Sequence, residues 1–182
     1  IFVAIKGTAF DGHNFIQEAV QKGARAIIGS VDSSQLTVDR KIPYVKVDDT
    51  RKSLADLSAA FWGHPSSSMK LVGITGTNGK TTVSYLIESI LRCAGYNPAV
   101  IGTINYRFKG QVFNAGNTTP GSAELQALLA RMQKERVDFV IIEVSSHALD
   151  QERVRAVKFS TGIFTNLSPE HLDYHRDLNS YF

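Results

Sequence analysis

The chain has 182 residues, 43% of them hydrophobic and 20% charged, with a net charge of +3, enough for one large or two small domains with real cores. Its basic residues form no run, which argues against nucleic acid as a partner, and no apolar stretch reaches membrane-spanning length. Cys93 is the only cysteine, so an intrachain disulfide is excluded and a reducing cytoplasm fits.

In chain order, residues 1–5 read as a strand already under way at the first residue. Residues 14–22 carry Phe15, Ile16, Ala19 and Val20 at helical spacing, and Gly23 stops that helix. Residues 24–28 and 43–47 are further strands. Thr50 reads as the cap of a helix through Leu54, Leu57, Ala60 and Phe61, ended at Gly63 to Pro65. A short serine linker follows, and a domain boundary is expected after Ser68, giving domains 1–68 and 69–182.

The second part opens on a strand and a helix from about Thr81 to Ala94. Cys93, between Leu91 and Ala94, reads there as a packing residue rather than a nucleophile. Pro98–Ile101 is a strand, and residues 104–108 and 111–113 flank Lys109 and Gly110 as a hairpin. Ser122–Lys134 is an amphipathic helix with Leu125, Leu128, Leu129 and Met132 inward, and residues 139–142 and 161–165 are buried strands. The expected class is α/β: a small N-terminal α/β domain, then a P-loop-type domain whose mostly parallel sheet is flanked by helices. In such sheets ligands gather at the carboxyl ends of the strands.

The strongest chemical signal is KLVGITGTNGKTTVSY, residues 70–85. An apolar strand runs into a loop with Gly76, Thr77, Asn78 and Gly79, then Lys80, Thr81 and Thr82 open a helix. Glycines let several backbone N–H groups face one anion, Lys80 adds a positive charge at the outer phosphates of a nucleotide, and the Thr81 hydroxyl suits the accompanying Mg2+. Ile74 stands where the general P-loop pattern wants glycine, so the loop is a variant.

Further polar groups sit at other strand ends. The strand before Glu143 delivers a carboxylate at its tip, the place of a second Mg2+ ligand in P-loop proteins. Ser145, Ser146 and His147 follow, but adjacency is not triad geometry and no nucleophile elbow is present. Asn117, Thr118 and Thr119 precede a helix, where hydroxyls can face an anion or simply cap. His171, Asp173 and His175 lack the spacing of a structural zinc site; one of them touching a second Mg2+ is the more economical reading.

Together TGTNGKTT, NTTP, EVSSHALDQERV and FTNLSPEHLDYH, with the opening FVAIKGTAFDGHNFIQEAVQKGARAII, resemble the Mur ligases of bacterial cell-wall synthesis over nearly the whole chain. EVSSH and HLDYH are similar to the type that adds the third amino acid to UDP-N-acetylmuramoyl-L-alanyl-D-glutamate. The resemblance implies transfer of the ATP γ-phosphate to a substrate carboxylate and attack of a diamino acid, meso-diaminopimelate or L-lysine, on the acyl phosphate. It implies ATP on residues 76–82, Mg2+ on Thr81, Glu143 and His171, and catalytic roles for Lys80, Glu143 and His171. The UDP-muramoyl dipeptide falls to Asn117, Thr118, Thr119, Ser145, Gln151 and Arg153, with Thr8, Ala9 and Phe10 at its UDP end. Three family elements are expected outside this sequence: a serine segment before Ile1, a carbamylated lysine after Phe182, and the C-terminal domain. The stretch alone is therefore expected to bind poorly and be inactive, and the whole protein to be a cytoplasmic monomer. A folylpolyglutamate or cyanophycin synthetase shares the loop and chemistry but not the UDP-sugar. A nucleotide switch would need an effector loop that is not evident.

Overall fold

A computed structural model describes residues 1–35 and 41–181; Phe182, the expected domain end, lies outside them. Two compact units divide at Leu54, earlier than the expected boundary after Ser68. The helix α2, Thr50–Phe61, straddles the division, and side-chain hydrogen bonds account for the shift. Ser66 Oγ accepts from Lys158 N at 3.1 Å, Ser68 Oγ accepts from Gln133 Nε2 at 2.9 Å, and Asp56 meets Arg155 at 3.3 Å. These bonds tie the serine turn and the end of the helix into the second unit. Asp49, not Thr50, caps the helix, accepting from Arg51 N and Lys52 N at 2.9 and 3.1 Å.

In the first unit, β1 (Phe2–Val3), β2 (Ile27–Gly29) and β3 (Tyr44–Lys46) form a parallel sheet in that order. Ala4, Ile16 and Ile27 make its core. The expected helix over 14–22 divides into a 3-10 turn, Gly12–Phe15, and α1, Ile16–Gln21, because Asp11 starts the turn. Asp11 Oδ1 accepts from His13 N at 2.9 Å and meets the His13 ring Nδ1 at 2.5 Å. Ser30 N donates to His13 Nε2 at 3.0 Å, so the ring proton sits on Nδ1 and also points at Asp11. The backbone N–H of His13, then its ring, hold the Asp11 carboxyl below its ordinary value of 3.8. A depressed folded pKa gives stability that is present above the unfolded value and lost as pH falls through the folded one. Asp11→Asn keeps the cap but turns bonds to a charged acceptor into neutral ones, so it is expected to cost about 1 kcal/mol in urea unfolding at pH 7, with the difference from wild type shrinking once pH drops below 3.8. A gap that stays constant into acid would refute the charged cap.

The second unit holds six strands: β4 (Lys70–Thr75), β5 (Pro98–Ile101), β6 (Asn105–Phe108), β7 (Gln111–Asn114), β8 (Phe139–Glu143) and β9 (Thr161–Phe164), ordered β7-β6-β5-β8-β4-β9. β5, β8, β4 and β9 are parallel, and β5-β6-β7 is an antiparallel meander. The β6–β7 hairpin turns at Lys109 and Gly110, both at positive φ, as its sequence predicts. Alternate strand residues feed two faces. Leu71, Ala99, Ile101, Val140 and Ile142 pack with Leu125, Leu129 and Met132 of α4, Ser122–Lys134. Val72, Ile74, Val100 and Ile141 meet Val83, Ile87 and Leu91 of α3, Lys80–Cys93. Burying each such aliphatic side chain contributes roughly 2 kcal/mol, which fixes the strand register and with it the strand ends. Leu128 packs at the margin of the first cluster.

Cys93 does not pack: it is exposed. The inward stripe of α3 runs Val83, Ser84, Ile87, Glu88, Leu91, and Cys93 falls off it, as does Ile90 at 66% exposure. The same stripe carries Glu88 to Arg107 of β6, with Nε and Nη2 at 2.9 and 2.5 Å from Glu88 Oε2. No described helix is long and apolar enough to cross a membrane.

Candidate functional site: a phosphate loop and an adjoining polar lobe

β4 ends at Thr75, and the chain turns through Gly76 at φ 120° and Gly79 at φ 86° before α3 begins at Lys80. A side chain at Gly76 would collide with Thr165 and Asn166, the loop after β9 that braces it. Thr77 N donates to Asn166 O and Asn78 N to Asn166 Oδ1, at 2.9 and 3.0 Å. Thr165 Oγ1 donates to Asn78 O at 2.7 Å. Thr77 is buried, and its hydroxyl accepts from Ser168 N at 2.9 Å and lies 3.0 Å from the Tyr181 hydroxyl. The loop is thus held open from one side, and the first N–H groups of α3 have no partner within the helix. Lys80 Nζ folds back onto Gly76 O and Thr77 O at 2.7 and 3.0 Å. These residues fit a nucleotide phosphate chain: free amides at the start of a long helix, a glycine turn and one lysine.

The tip of β8 places Glu143 beside this loop at 1% exposure. Its Oε2 accepts from Thr81 Oγ1 at 2.8 Å and Thr103 Oγ1 at 2.9 Å, and its Oε1 lies 3.2 Å from Ser84 Oγ. Ser84 also donates to Thr81 O at 2.8 Å. Among the described residues no three His, Cys, Asp or Glu side chains form a metal cage. Hard oxygens from one carboxylate and one hydroxyl do fit Mg2+, which keeps several waters and takes the rest of its shell from phosphates. Thr81 and Glu143 would hold it.

Gly102 is the unforeseen member. Any Cβ there would occupy the place of the Glu143 carboxylate, so Gly102→Ala is expected to displace it. Disturbing the residues that orient a metal ligand costs about 10-fold or more in metal affinity. Titrating Mg2+ against nucleotide binding measures that loss; an unchanged Mg2+ requirement would separate Gly102 from the site.

A second lobe joins the first at Glu143. Asn117 and Thr118 lie on the loop before α4, fixed by Tyr106 OH donating to Asn117 O at 2.6 Å. Thr119 does not offer its side chain to a ligand. It is fully buried, donating to Glu143 O at 2.8 Å and accepting from Ser145 N at 3.0 Å. Ser145 caps the short helix α5, Ser146–Asp150. Arg153 donates through Nη1 to Thr119 O at 2.8 Å and through Nη2 to Gln151 Oε1 at 2.8 Å. Gln151 in turn donates to Tyr174 OH at 3.2 Å, and Tyr174 donates to Asp150 at 2.6 Å.

His171 precedes α6, Leu172–His175. It packs against His147 with ring centres 4.9 Å apart and against Tyr181 of α7, Leu178–Tyr181, at 6.3 Å. It makes none of the hydrogen bonds to Glu143. Burial first, then the nearby His171, His175 and Arg153, hold His147 below the ordinary imidazole range. His175 is buried, 2.9 Å from Ser146 Oγ. Thr8, Ala9 and Phe10 belong to the first unit, where they form an exposed turn closed by Gly7 N donating to Phe10 O at 2.9 Å.

The structure therefore brings together residues 76–82, Glu143, Thr118, Thr119 and Ser145, and sets Gln151 and Arg153 beside them. Sequence reasoning missed Gly102, Thr103 and Ser84. Gly102 and Thr103 follow the buried strand β5 as Glu143 ends β8, and that parallel was the available signal.

A glycine phosphate loop between a parallel strand and a long helix, with a carboxylate at the neighbouring strand tip, defines a P-loop-type α/β unit. The chain belongs to the Mur ligase family: the Mur ligase middle domain matches residues 74–182, and the Mur ligase family catalytic domain matches residues 1–62. It is 46% identical over its whole length to the UDP-N-acetylmuramoyl-L-alanyl-D-glutamate-2,6-diaminopimelate ligase of Geobacter sulfurreducens, covering 35% of that protein. It is also 46% identical to the ligase of the same name from Aquifex aeolicus, covering 37% of it. A solved structure of a ligase with this name superposes with a TM-score of 0.80 at 28% identity, over 93% of this chain and 34% of the other. The chain thus spans about a third of the length of these relatives.

Proposed function

We propose that the protein carrying this chain is a cytoplasmic, monomeric ATP-dependent amide ligase that adds 2,6-diaminopimelate to UDP-N-acetylmuramoyl-L-alanyl-D-glutamate. The observation that carries the reading is the meeting of two lobes at Glu143, one built for phosphates and one lined by hydroxyls and Arg153. The choice of diaminopimelate over L-lysine is supported by the names of the relatives. ATP is the co-substrate. Within the loop of residues 76–82, Lys80 and the free amides at the start of α3 cradle its outer phosphates and stabilise charge on the phosphoryl group in flight. Bound Mg2+ supplies charge neutralisation between those phosphates, with Thr81 and Glu143 as its protein ligands.

The substrate carboxylate oxygen takes the γ-phosphoryl group and ADP leaves. The amine nitrogen then forms the amide bond, phosphate departs with the electron pair, and the amine proton is released. Asn117, Thr118, the Thr119 backbone, Ser145, Gln151 and Arg153 orient the muramoyl peptide, and the guanidinium is suited to carboxylates. Thr8, Ala9 and Phe10 serve the UDP end, and His171 would help hold a second Mg2+ if one binds. The test is phosphate release by the full-length gene product with ATP, Mg2+ and the UDP-muramoyl dipeptide, adding meso-diaminopimelate or L-lysine. Release that requires the dipeptide and diaminopimelate together supports the proposal. Release with L-lysine alone corrects the amino acid, and ATP binding without release under any combination removes the ligase reading.

A further inference from the structure

A line of three side chains crosses from one lobe of the site to the other. Thr103 Oγ1 lies 2.9 Å from Glu143 Oε2 and 3.1 Å from Thr118 Oγ1. A carboxylate only accepts, and a hydroxyl has a single proton. The order of donation is therefore fixed: Thr103 donates to Glu143, and Thr118 donates to Thr103. Two consequences follow. The proton of Thr118 is committed inward, so this residue meets a ligand with its lone pairs and reads a donor, such as an amide N–H or a sugar hydroxyl, rather than an anionic oxygen. The orientation of the Glu143 carboxylate is tied, through one exposed threonine, to whatever engages Thr118.

We infer that Thr103 is a positioning residue that couples cation binding at Glu143 to occupation of the polar lobe at Thr118. Hydrogen bonds in a chain polarise one another. A donor from the ligand onto Thr118 strengthens its donation to Thr103, and so the hold of Thr103 on Glu143. Linkage makes the effect reciprocal: a cation that needs Glu143 in place favours the occupied lobe by the same factor. The inference rests on the ligase reading for the identity of the ligand, but not for the geometry. Thr103 sits on the turn between β5 and β6 with its side chain exposed, so its hydroxyl can be removed without opening a hole in the core.

The experiment is calorimetric binding of UDP-N-acetylmuramoyl-L-alanyl-D-glutamate to the full-length protein, with and without Mg2+ and a non-hydrolysable ATP analogue. It compares wild type, Thr103→Val and Thr103→Ser, each first checked for a wild-type urea midpoint. In wild type each ligand is expected to tighten the other. Thr103→Val is expected to reduce that mutual tightening by about fivefold or more, and Thr103→Ser to restore it. Wild-type coupling in Thr103→Val overturns the inference. So does weakening by the same factor with and without Mg2+, which would mark a purely local role, or failure of serine to rescue. If wild type binds the Mg2+ nucleotide but not the dipeptide, the ligase reading falls separately. Thr103 is then judged on the Mg2+ needed for nucleotide binding: a higher requirement in Thr103→Val supports its hold on Glu143, and no change overturns it.

Discussion

Replacing Lys80 by methionine is expected to lower phosphate release by the full-length protein about 10³-fold, the scale of losing one preorganised charge at a developing anion. Urea unfolding should stay within about 0.5 kcal/mol of wild type. The two halves of that expectation have separate grounds. Lys80 Nζ is held at 2.7 Å from Gly76 O and 3.0 Å from Thr77 O, so the ammonium already sits over the mouth of the loop and needs little movement to reach a phosphate. Methionine keeps the aliphatic stem and removes the charge, and the loop keeps its bonds to Thr165 and Asn166. Retention of activity within tenfold would end the reading of residues 76–82 as a phosphate loop. A large loss of stability would instead recast Lys80 as a strut for the loop.

Glu143 carries the second large effect, and two substitutions separate its duties. Glu143→Ala leaves the Thr81 and Thr103 hydroxyls without their shared acceptor at a site only 1% exposed. Losing two hydrogen bonds to a charged acceptor should cost about 3 kcal/mol, together with the ligase activity. Glu143→Gln keeps volume and one acceptor oxygen. If that oxygen takes the Oε2 place, both threonines are still served. The amide then faces Ser84, whose own proton goes to Thr81 O at 2.8 Å. Glutamine should therefore unfold within about 1 kcal/mol of wild type, yet raise the Mg2+ requirement for nucleotide binding at least tenfold, since a neutral amide is a poor partner for a hard cation. Urea curves and Mg2+ titrations read the two effects independently. A glutamine variant with wild-type Mg2+ dependence would dismiss Glu143 as a metal ligand and leave it a structural acceptor.

Features carried by many residues at once were legible in the sequence. The alternation of Leu71, Val72 and Ile74, the glycines of the loop and the period of Val83, Ile87 and Leu91 agree on one unit, and each constrains the others. The place of Glu143 at a strand tip beside the loop was legible because the apolar run before it reads as a strand. What failed to read were contacts resting on one or two atoms. Thr103 and Ser84 are single hydroxyls whose value comes from Glu143 across the sheet. Cys93 looked inward because Leu91 and Ala94 flank it in sequence, but on a helix adjacent residues point about 100° apart. Thr119 looked like a ligand contact because its motif does, whereas its hydroxyl is used to join β8 to the loop before α4. Asp49 took the cap from Thr50 because a carboxylate one residue earlier reaches the free N–H groups of the first turn.

The guanidinium of Arg153 has a bearing on recognition that goes beyond charge. Its three nitrogens are all engaged: Nη1 on Thr119 O, and Nε and Nη2 on Gln151 Oε1. Gln151 is anchored in turn through Tyr174 to Asp150. A free arginine at a binding surface must surrender rotamer freedom when it grips a ligand, about 0.5–1.5 kcal/mol for such a side chain. Here that entropy is given up when the chain folds. On the proposed reading, an incoming carboxylate would meet a cation that is already still, and the affinity it gained would not be spent on bringing the arginine to rest.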